Sequence, residues 1–171
     1  MRGRPLFASA LVLAALAAVS GAGGSSTLVP PCSGAQLRGT FVYIYGSGAA
    51  GHVSYALQLR NVSSRACALS GLPHARLLDR RRRALPTQVV AAQPGATAAR
   101  VLLSGTRRAR ANARFSPDVP GPGEPTTRPC ERTAYGLRVL PGGRGAVVVP
   151  IRPVTSVCEH GRLEFSVFKP R

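Results

Sequence analysis

The segment VSYALQLRN, residues Val53–Asn61, alternates two kinds of side chain along its length. Val53, Tyr55, Leu57 and Leu59 are apolar, and the residues between them are small or polar. This period of two is typical of a β-strand with one buried face, because a helix would scatter the same apolar set around its surface. The segment therefore predicts a half-buried strand.

A second alternation, in Arg108–Phe115, places alanines and Phe115 on one face and arginines with Asn112 on the other. It predicts a strand with a packed face and a basic face. Short apolar or β-branched runs between turns rich in glycine and proline predict further strands. Their ranges are 40–45, 66–69, 75–78, 87–92, 97–103, 135–140, 146–151 and 163–168.

Many short strands joined by tight turns predict an all-β fold. We expect two antiparallel sheets packed face to face, an immunoglobulin-like β-sandwich stapled by two disulfides, with a partly open β-barrel as the alternative. Residues 116–129, SPDVPGPGEPTTRP, contain too much proline and glycine for a helix or a central strand. They predict a long exposed loop within a single domain at 32–171.

The first residues follow the order of a secretory signal peptide. Arg2 and Arg4 precede an apolar run at 6–19, and small residues follow it. The run is short of the roughly 20 residues that span a bilayer, although an uncleaved anchor is the alternative. We predict a signal peptide at 1–22, cleaved after Ala22, and a flexible lead-in at 23–31. No cysteine directly follows the run, so we expect a secreted or cell-wall-associated protein and not a lipoprotein.

The predicted export of the chain determines how its four cysteines are interpreted. Cys32, Cys67, Cys130 and Cys158 are an even set, which in an oxidising compartment predicts two disulfides. Their spacing allows three pairings; we predict Cys32 with Cys67 and Cys130 with Cys158, which close loops of moderate length. The alternative is a metal site at Cys130, Cys158 and His160, but closely paired cysteine ligands are missing from the sequence. No metal or cofactor is predicted.

The chain is strongly basic, with a net charge of +17 that becomes +15 when Arg2 and Arg4 leave with the signal peptide. Such a charge attracts polyanions and anionic envelope surfaces. Lys169 is the single lysine, an arginine bias that a GC-rich genome also produces, and a solvated basic surface is therefore the alternative. The candidate anion-binding residues are Arg80, Arg81, Arg82, Arg83, Arg107, Arg108, Arg110 and Arg114.

Motifs for catalysis are weak. No GxSxG motif is present, and the three histidines and few carboxylates are scattered along the chain. We therefore predict that the chain is not an enzyme, with a secreted hydrolase as a remote alternative. Nucleic acid is a weaker partner than an envelope polyanion, because export removes the chain from DNA and the few aromatic residues belong to predicted strands.

The order of several segments resembles the secreted actinobacterial family called domain of unknown function 4232, over about residues 32–168. The segments are AGHVSYALQLRNVSSRACALSGLPHARLLD at 50–79, LP at 85–86, QPGATAARVLL at 93–103, Cys130 before LRVL and Cys158 before GRLEFSVF. The resemblance implies an exported β-sandwich-like domain with two disulfides, found alone, on lipoproteins or on envelope proteins, and it implies no known activity. The chain departs from the family in residues 79–83, DRRRR, where a glycine is usual.

We predict a secreted, non-catalytic binding or interaction module at the bacterial cell envelope. Its partner is an anionic envelope polymer or an envelope protein. The alternative is a structural or sensory extracellular domain that binds a protein or small ligand without using its charge.

Overall fold

The computed structural model describes residues 28–126 and 129–171. Within them strands are the main regular element and helix is nearly absent, which confirms the predicted all-β class. The strands are β1 (Leu37–Tyr43), β2 (Val53–Asn61), β3 (Cys67–Leu69), β4 (His74–Leu78), β5 (Gln88–Ala91), β6 (Val101–Leu103), β7 (Arg108–Phe115), β8 (Ala134–Leu140), β9 (Val147–Thr155), β10 (Arg162–Phe165) and β11 (Lys169–Pro170). Two helical segments accompany them, a 3-10 turn at Gly34–Gln36 and the one-turn α1 at Cys158–Gly161.

Most strands form one sheet in the order β4-β8-β9-β1-β2-β7-β10-β5, with β11 also paired to β7 and with β3 and β6 as a separate pair. Strand β9 joins the two parts of this sheet, since its first half pairs with β8 and Ile151 and Arg152 pair with β1. The end strands β4 and β5 approach each other, so the sheet nearly closes as a barrel. The structure thus has the character of the barrel alternative.

Strand direction differs from the wholly antiparallel sheets of the prediction. The β1–β9 and β5–β10 pairs are parallel, and the sheet is therefore mixed. The cause lies in the connections: β1 and β9, like β5 and β10, are separated by long stretches of chain, which allow either direction. Alternation of side chains defines the faces of a strand and carries no information about its direction.

The alternating apolar residues form the core. In β7 the alanines and Phe115 are buried, and in β2 the side chains of Tyr55, Leu57 and Leu59 are buried. Phe41 lies at the centre, with its ring centroid 5.2 Å from Tyr55, 6.4 Å from Phe115 and 5.9 Å from Phe165.

Two disulfides staple this body. Cys32 bonds to Cys67, with Cα atoms 4.7 Å apart, and Cys130 bonds to Cys158, with Cα atoms 5.5 Å apart. Because Cys130 and Cys158 are bonded to each other, neither has the free thiol that the alternative metal site required.

The N-terminal expectations fall largely on residues 1–27, outside the described residues. The end of the predicted lead-in is part of the folded body, because the backbone N–H of Ala68 donates to Pro30 O at 2.9 Å and Pro31 pairs with Ala68. No helix in the described part of the chain has the length and apolarity needed to span a bilayer.

Candidate functional site

The outer face of β7 carries three of the predicted arginines. Arg108 and Arg114 are exposed and Arg110 is partly exposed, and they alternate with the buried alanines and Phe115. Arg107 is exposed in the turn that precedes the strand, where its backbone N–H donates to Ser104 O at 3.2 Å.

Strand register adds two arginines that the sequence analysis missed. Arg38 of β1 lies opposite Arg60 of β2, and Arg60 lies opposite Arg108 of β7. All three side chains are exposed. Because directly opposed Cβ atoms are about 4.5–5.5 Å apart, three positive charges stand side by side across three strands. They line a hollow of about 220 Å³.

A second row runs beside the first. Gln58 lies opposite Arg110, and Arg110 lies opposite Lys169 of β11. The guanidinium of Arg171 donates to the side-chain oxygen of Gln58, which brings a further charge to this row. We call the combined surface the basic face; its members are Arg38, Arg60, Arg108, Arg110, Lys169 and Arg171.

The acidic side chains that form salt bridges pair with residues outside the basic face. Within residues 28–126 and 129–171, salt bridges join Glu164 to Arg114 and Arg162, Glu159 to Arg162, Asp79 to Arg83 and Glu124 to His160. None of these bridges includes a member of the basic face. Arg38 donates instead to the backbone oxygen of Leu37 at 2.9 Å. The basic face therefore keeps its positive charge uncompensated by the described carboxylates.

Residues 80–83 form a separate basic loop after β4. Asp79 accepts the backbone N–H groups of Arg81 and Arg83 at 2.8 Å and the side-chain Nε of Arg83 at 2.9 Å. The backbone bond from Arg83, together with its side chain and the bond from Arg81, lowers the pKa of Asp79. No hydrogen bond or salt bridge among the described residues joins this loop to β7. In the sheet order β8, β9, β1 and β2 lie between β7 and β4, which precedes this loop, so the two predicted arginine groups lie on different parts of the sheet.

In the proline- and glycine-rich loop, which we predicted to be long and exposed, the side chain of Glu124 is buried. The carboxylate of Glu124 accepts backbone N–H groups from Gly121 at 2.7 Å, Glu159 at 2.8 Å and His160 at 2.5 Å. Glu159, His160 and Gly161 all have positive φ, which turns the N–H groups of α1 toward this anion. Glu124 thus anchors the loop to α1.

The anchoring bonds lower the pKa of Glu124. Burial by itself raises the pKa, but the three backbone N–H bonds and the nearby His160 outweigh it, so the pKa of Glu124 lies below its usual value. A carboxyl with a lowered folded-state pKa stabilises the fold above the ordinary carboxyl pKa of about 4.3, and this contribution is lost as pH falls through the lowered value.

We expect Glu124→Gln to lower the free energy of unfolding by about 1–3 kcal/mol at neutral pH, because an amide cannot accept all three bonds as a carboxylate does. The deficit shrinks in acid, where the native Glu124 is itself protonated. Urea unfolding at several pH values measures both effects. Glu131→Gln, at a partly exposed carboxylate nearby, is the control and changes stability by less than about 0.5 kcal/mol. A deficit that is constant with pH contradicts the anchoring role.

Two of the three histidine rings lie against backbone carbonyl oxygens. His52 Nδ1 lies 2.9 Å from Ala50 O, and His160 Nε2 lies 3.1 Å from Pro122 O. Glu124, Glu131 and His160 each bring one potential ligand atom within 4.8 Å of the others. The Glu124 oxygens in this group already accept backbone N–H groups, so they are part of the loop anchor.

Comparison with known proteins assigns a family. The sequence profile described as "Domain of unknown function (DUF4232)" matches residues 32–168, most of the chain. The protein therefore belongs to this family, as the resemblance indicated. No curated protein and no solved structure matches the chain significantly.

Proposed function

We propose that the protein is an exported, non-catalytic binding module of the bacterial cell envelope and that its basic face holds an anionic envelope polymer. The observation that carries this proposal is the row of Arg38, Arg60 and Arg108 across three neighbouring strands. Like charges directly opposite each other destabilise a sheet, and a bound polyanion removes that penalty. Guanidinium groups also match phosphate and carboxylate oxygens with paired hydrogen bonds.

The basic face is a better binding surface than the other predicted arginines for two reasons. Arg38, Arg60, Arg108 and Arg110 project from paired strands, which hold them at fixed spacing for a repeating ligand. Arg83 and Arg114, in contrast, already contact Asp79 and Glu164. We therefore restrict the proposed site to the basic face.

Export is supported by the two disulfides, because such bonds persist in oxidising compartments and are rare in the cytosol. The order of charged, apolar and small residues at 1–22 supports it independently. Outside the cell, polymers that carry repeated phosphate or carboxylate groups supply the anions that a basic surface attracts.

The test compares two triple variants with the same change in net charge. Arg38→Gln, Arg60→Gln and Arg108→Gln together remove the arginine row, whereas Arg80→Gln, Arg81→Gln and Arg82→Gln remove three exposed charges from the loop. The probe is immobilised long-chain polyphosphate. Each surface contact contributes about 0.5–1 kcal/mol, so we expect the row variant to bind about 10–100-fold more weakly and the loop variant to bind within about threefold of the parent.

Salt dependence completes the test. Parent binding weakens steeply between about 0.05 M and about 0.5 M salt, because surface charges are screened over a shorter distance. Equal losses in the two triple variants would show that net charge alone attracts the polymer, which contradicts the proposed site. Failure to bind at low salt favours the alternative, a domain that recognises a protein or small ligand without using its charge.

A further inference from the structure

A cavity lies where the sheet fails to close. Strands β4 and β5 are the two ends of the sheet order, and Leu77 of β4 is hydrogen-bonded to Leu85 and Thr87 in the chain before β5. Thr87 Oγ1 accepts the Leu77 N–H at 2.9 Å, and Leu85 N donates to Leu77 O at 2.9 Å. Beside these bonds the gap opens into a cavity of about 540 Å³, which we call the seam cavity. This volume lies within the range of small-molecule sites.

One side of the seam cavity carries a pair of guanidinium groups. Arg76 of β4 lies directly opposite Arg138 of β8, and both side chains are exposed. Among the described residues, no carboxylate forms a salt bridge with either one. Two opposed cations at cross-strand distance repel each other, and a single anion between them converts that repulsion into attraction.

The rest of the lining is largely apolar. Ala75 and Val89 are partly buried residues packed against the core, one from each side of the seam. Leu140, opposite His74 in the β4–β8 register, is 52% exposed and extends this apolar surface outward. An apolar cavity with a few charged groups at one place is the usual construction of a small-ligand site.

We propose that the seam cavity binds a small amphipathic anion, with its acidic head on Arg76 and Arg138 and its aliphatic body against Ala75, Val89 and Leu140. The ligand class is an alkyl carboxylate or alkyl phosphate. The two head groups share the chemistry that a guanidinium pair recognises, and the apolar lining selects for a chain behind the head. This site is separate from the basic face and does not depend on the polymer-binding proposal.

Calorimetric titration of the whole protein tests the proposal with four probes: octanoate, octyl phosphate, octan-1-ol and acetate. We expect saturable binding of at least one of the two eight-carbon anions. Octan-1-ol lacks the head and acetate lacks the chain, so both bind at least tenfold more weakly. In the series from butanoate to octanoate, each added methylene that enters the cavity strengthens binding about fourfold. A response to only one of the two long anions fixes the head group and supports the proposal.

The location is tested by a double variant and a control of equal charge. Arg76→Gln with Arg138→Gln weakens binding at least tenfold, whereas Arg80→Gln with Arg82→Gln leaves it within twofold. Absence of saturable binding of both long anions overturns the proposal. So does equal binding of octan-1-ol, or a loss that is the same in both double variants. Polyphosphate binding measured on the Arg76 and Arg138 variant stays at the parent level, which separates this site from the basic face.

Discussion

Replacing Phe41 with alanine lowers the free energy of unfolding by about 3–5 kcal/mol. Phe41 is fully buried, and its ring contacts the rings of Tyr55, Phe115 and Phe165 from three other strands. The shorter side chain removes these contacts and leaves a cavity that the surrounding sheet cannot fill, because β1 is held between β2 and β9. Equilibrium urea unfolding, followed by far-UV circular dichroism, measures the change.

The matched control for this prediction is Val148→Ala, an apolar truncation on the outer face of the same sheet. Val148 is 47% exposed, so its truncation changes stability by less than about 0.5 kcal/mol. A loss below about 1 kcal/mol for Phe41→Ala, or losses of equal size at the two positions, would contradict the assignment of Phe41 to the centre of the core.

Loss of the Cys32–Cys67 disulfide has an effect of similar size. Its cysteines are 35 residues apart, and opening a loop of this length destabilises the fold by about 4 kcal/mol in the chain-entropy model. The bond also ties the start of the folded body to β3, so the Cys32→Ser and Cys67→Ser double variant unfolds at a lower urea concentration than the parent. Urea midpoints under oxidising conditions measure the difference.

Reduction supplies the control for the disulfide prediction. When both proteins are fully reduced, each lacks the cross-link, and the difference between the parent and the double variant falls to about 1 kcal/mol or less. A difference of undiminished size under reduction would mean that the serines disturb packing at the buried cysteine positions. The cross-link would then not be the source of the stability.

Strand positions were largely predictable, because a strand with one buried face alternates apolar and polar residues along the sequence. The predicted ranges Val53–Asn61 and Arg108–Phe115 agree with β2 and β7 at both ends. Other strands differ by a few residues, since their apolar runs are short and merge with turns. The parallel pairs were not predictable from alternation, because a strand buries the same side chains whichever way its neighbour runs.

The candidate site was predictable only in part for a related reason. Alternation placed Arg108 and Arg110 on an outer face, but Arg38 and Arg60 join them through strand register, which depends on pairing between distant segments. Strands β1 and β2 are neighbours in the chain, which favours their pairing as a hairpin. Arg38 stands opposite Arg60 in the register that pairs Thr40 with Gln58, but alternation does not distinguish this register from those shifted by two residues.

Glu124 escaped prediction because the composition of its loop argued for exposure. Proline and glycine exclude regular secondary structure, but they do not prevent one carboxylate from turning inward when backbone N–H groups surround it. Those groups come from Gly121 and from α1, more than thirty residues further along the chain. Only the folded structure brings them together.

Polymer recognition by the row of Arg38, Arg60 and Arg108 is tested most directly by nuclear magnetic resonance. Polyphosphate is titrated into the ¹⁵N-labelled protein while the arginine Nε–H signals are followed. We predict that the largest shifts occur at Arg38, Arg60 and Arg108 and that residues 80–83 shift little. Shifts concentrated in residues 80–83, or spread evenly over all arginines, would contradict a polymer site on the basic face.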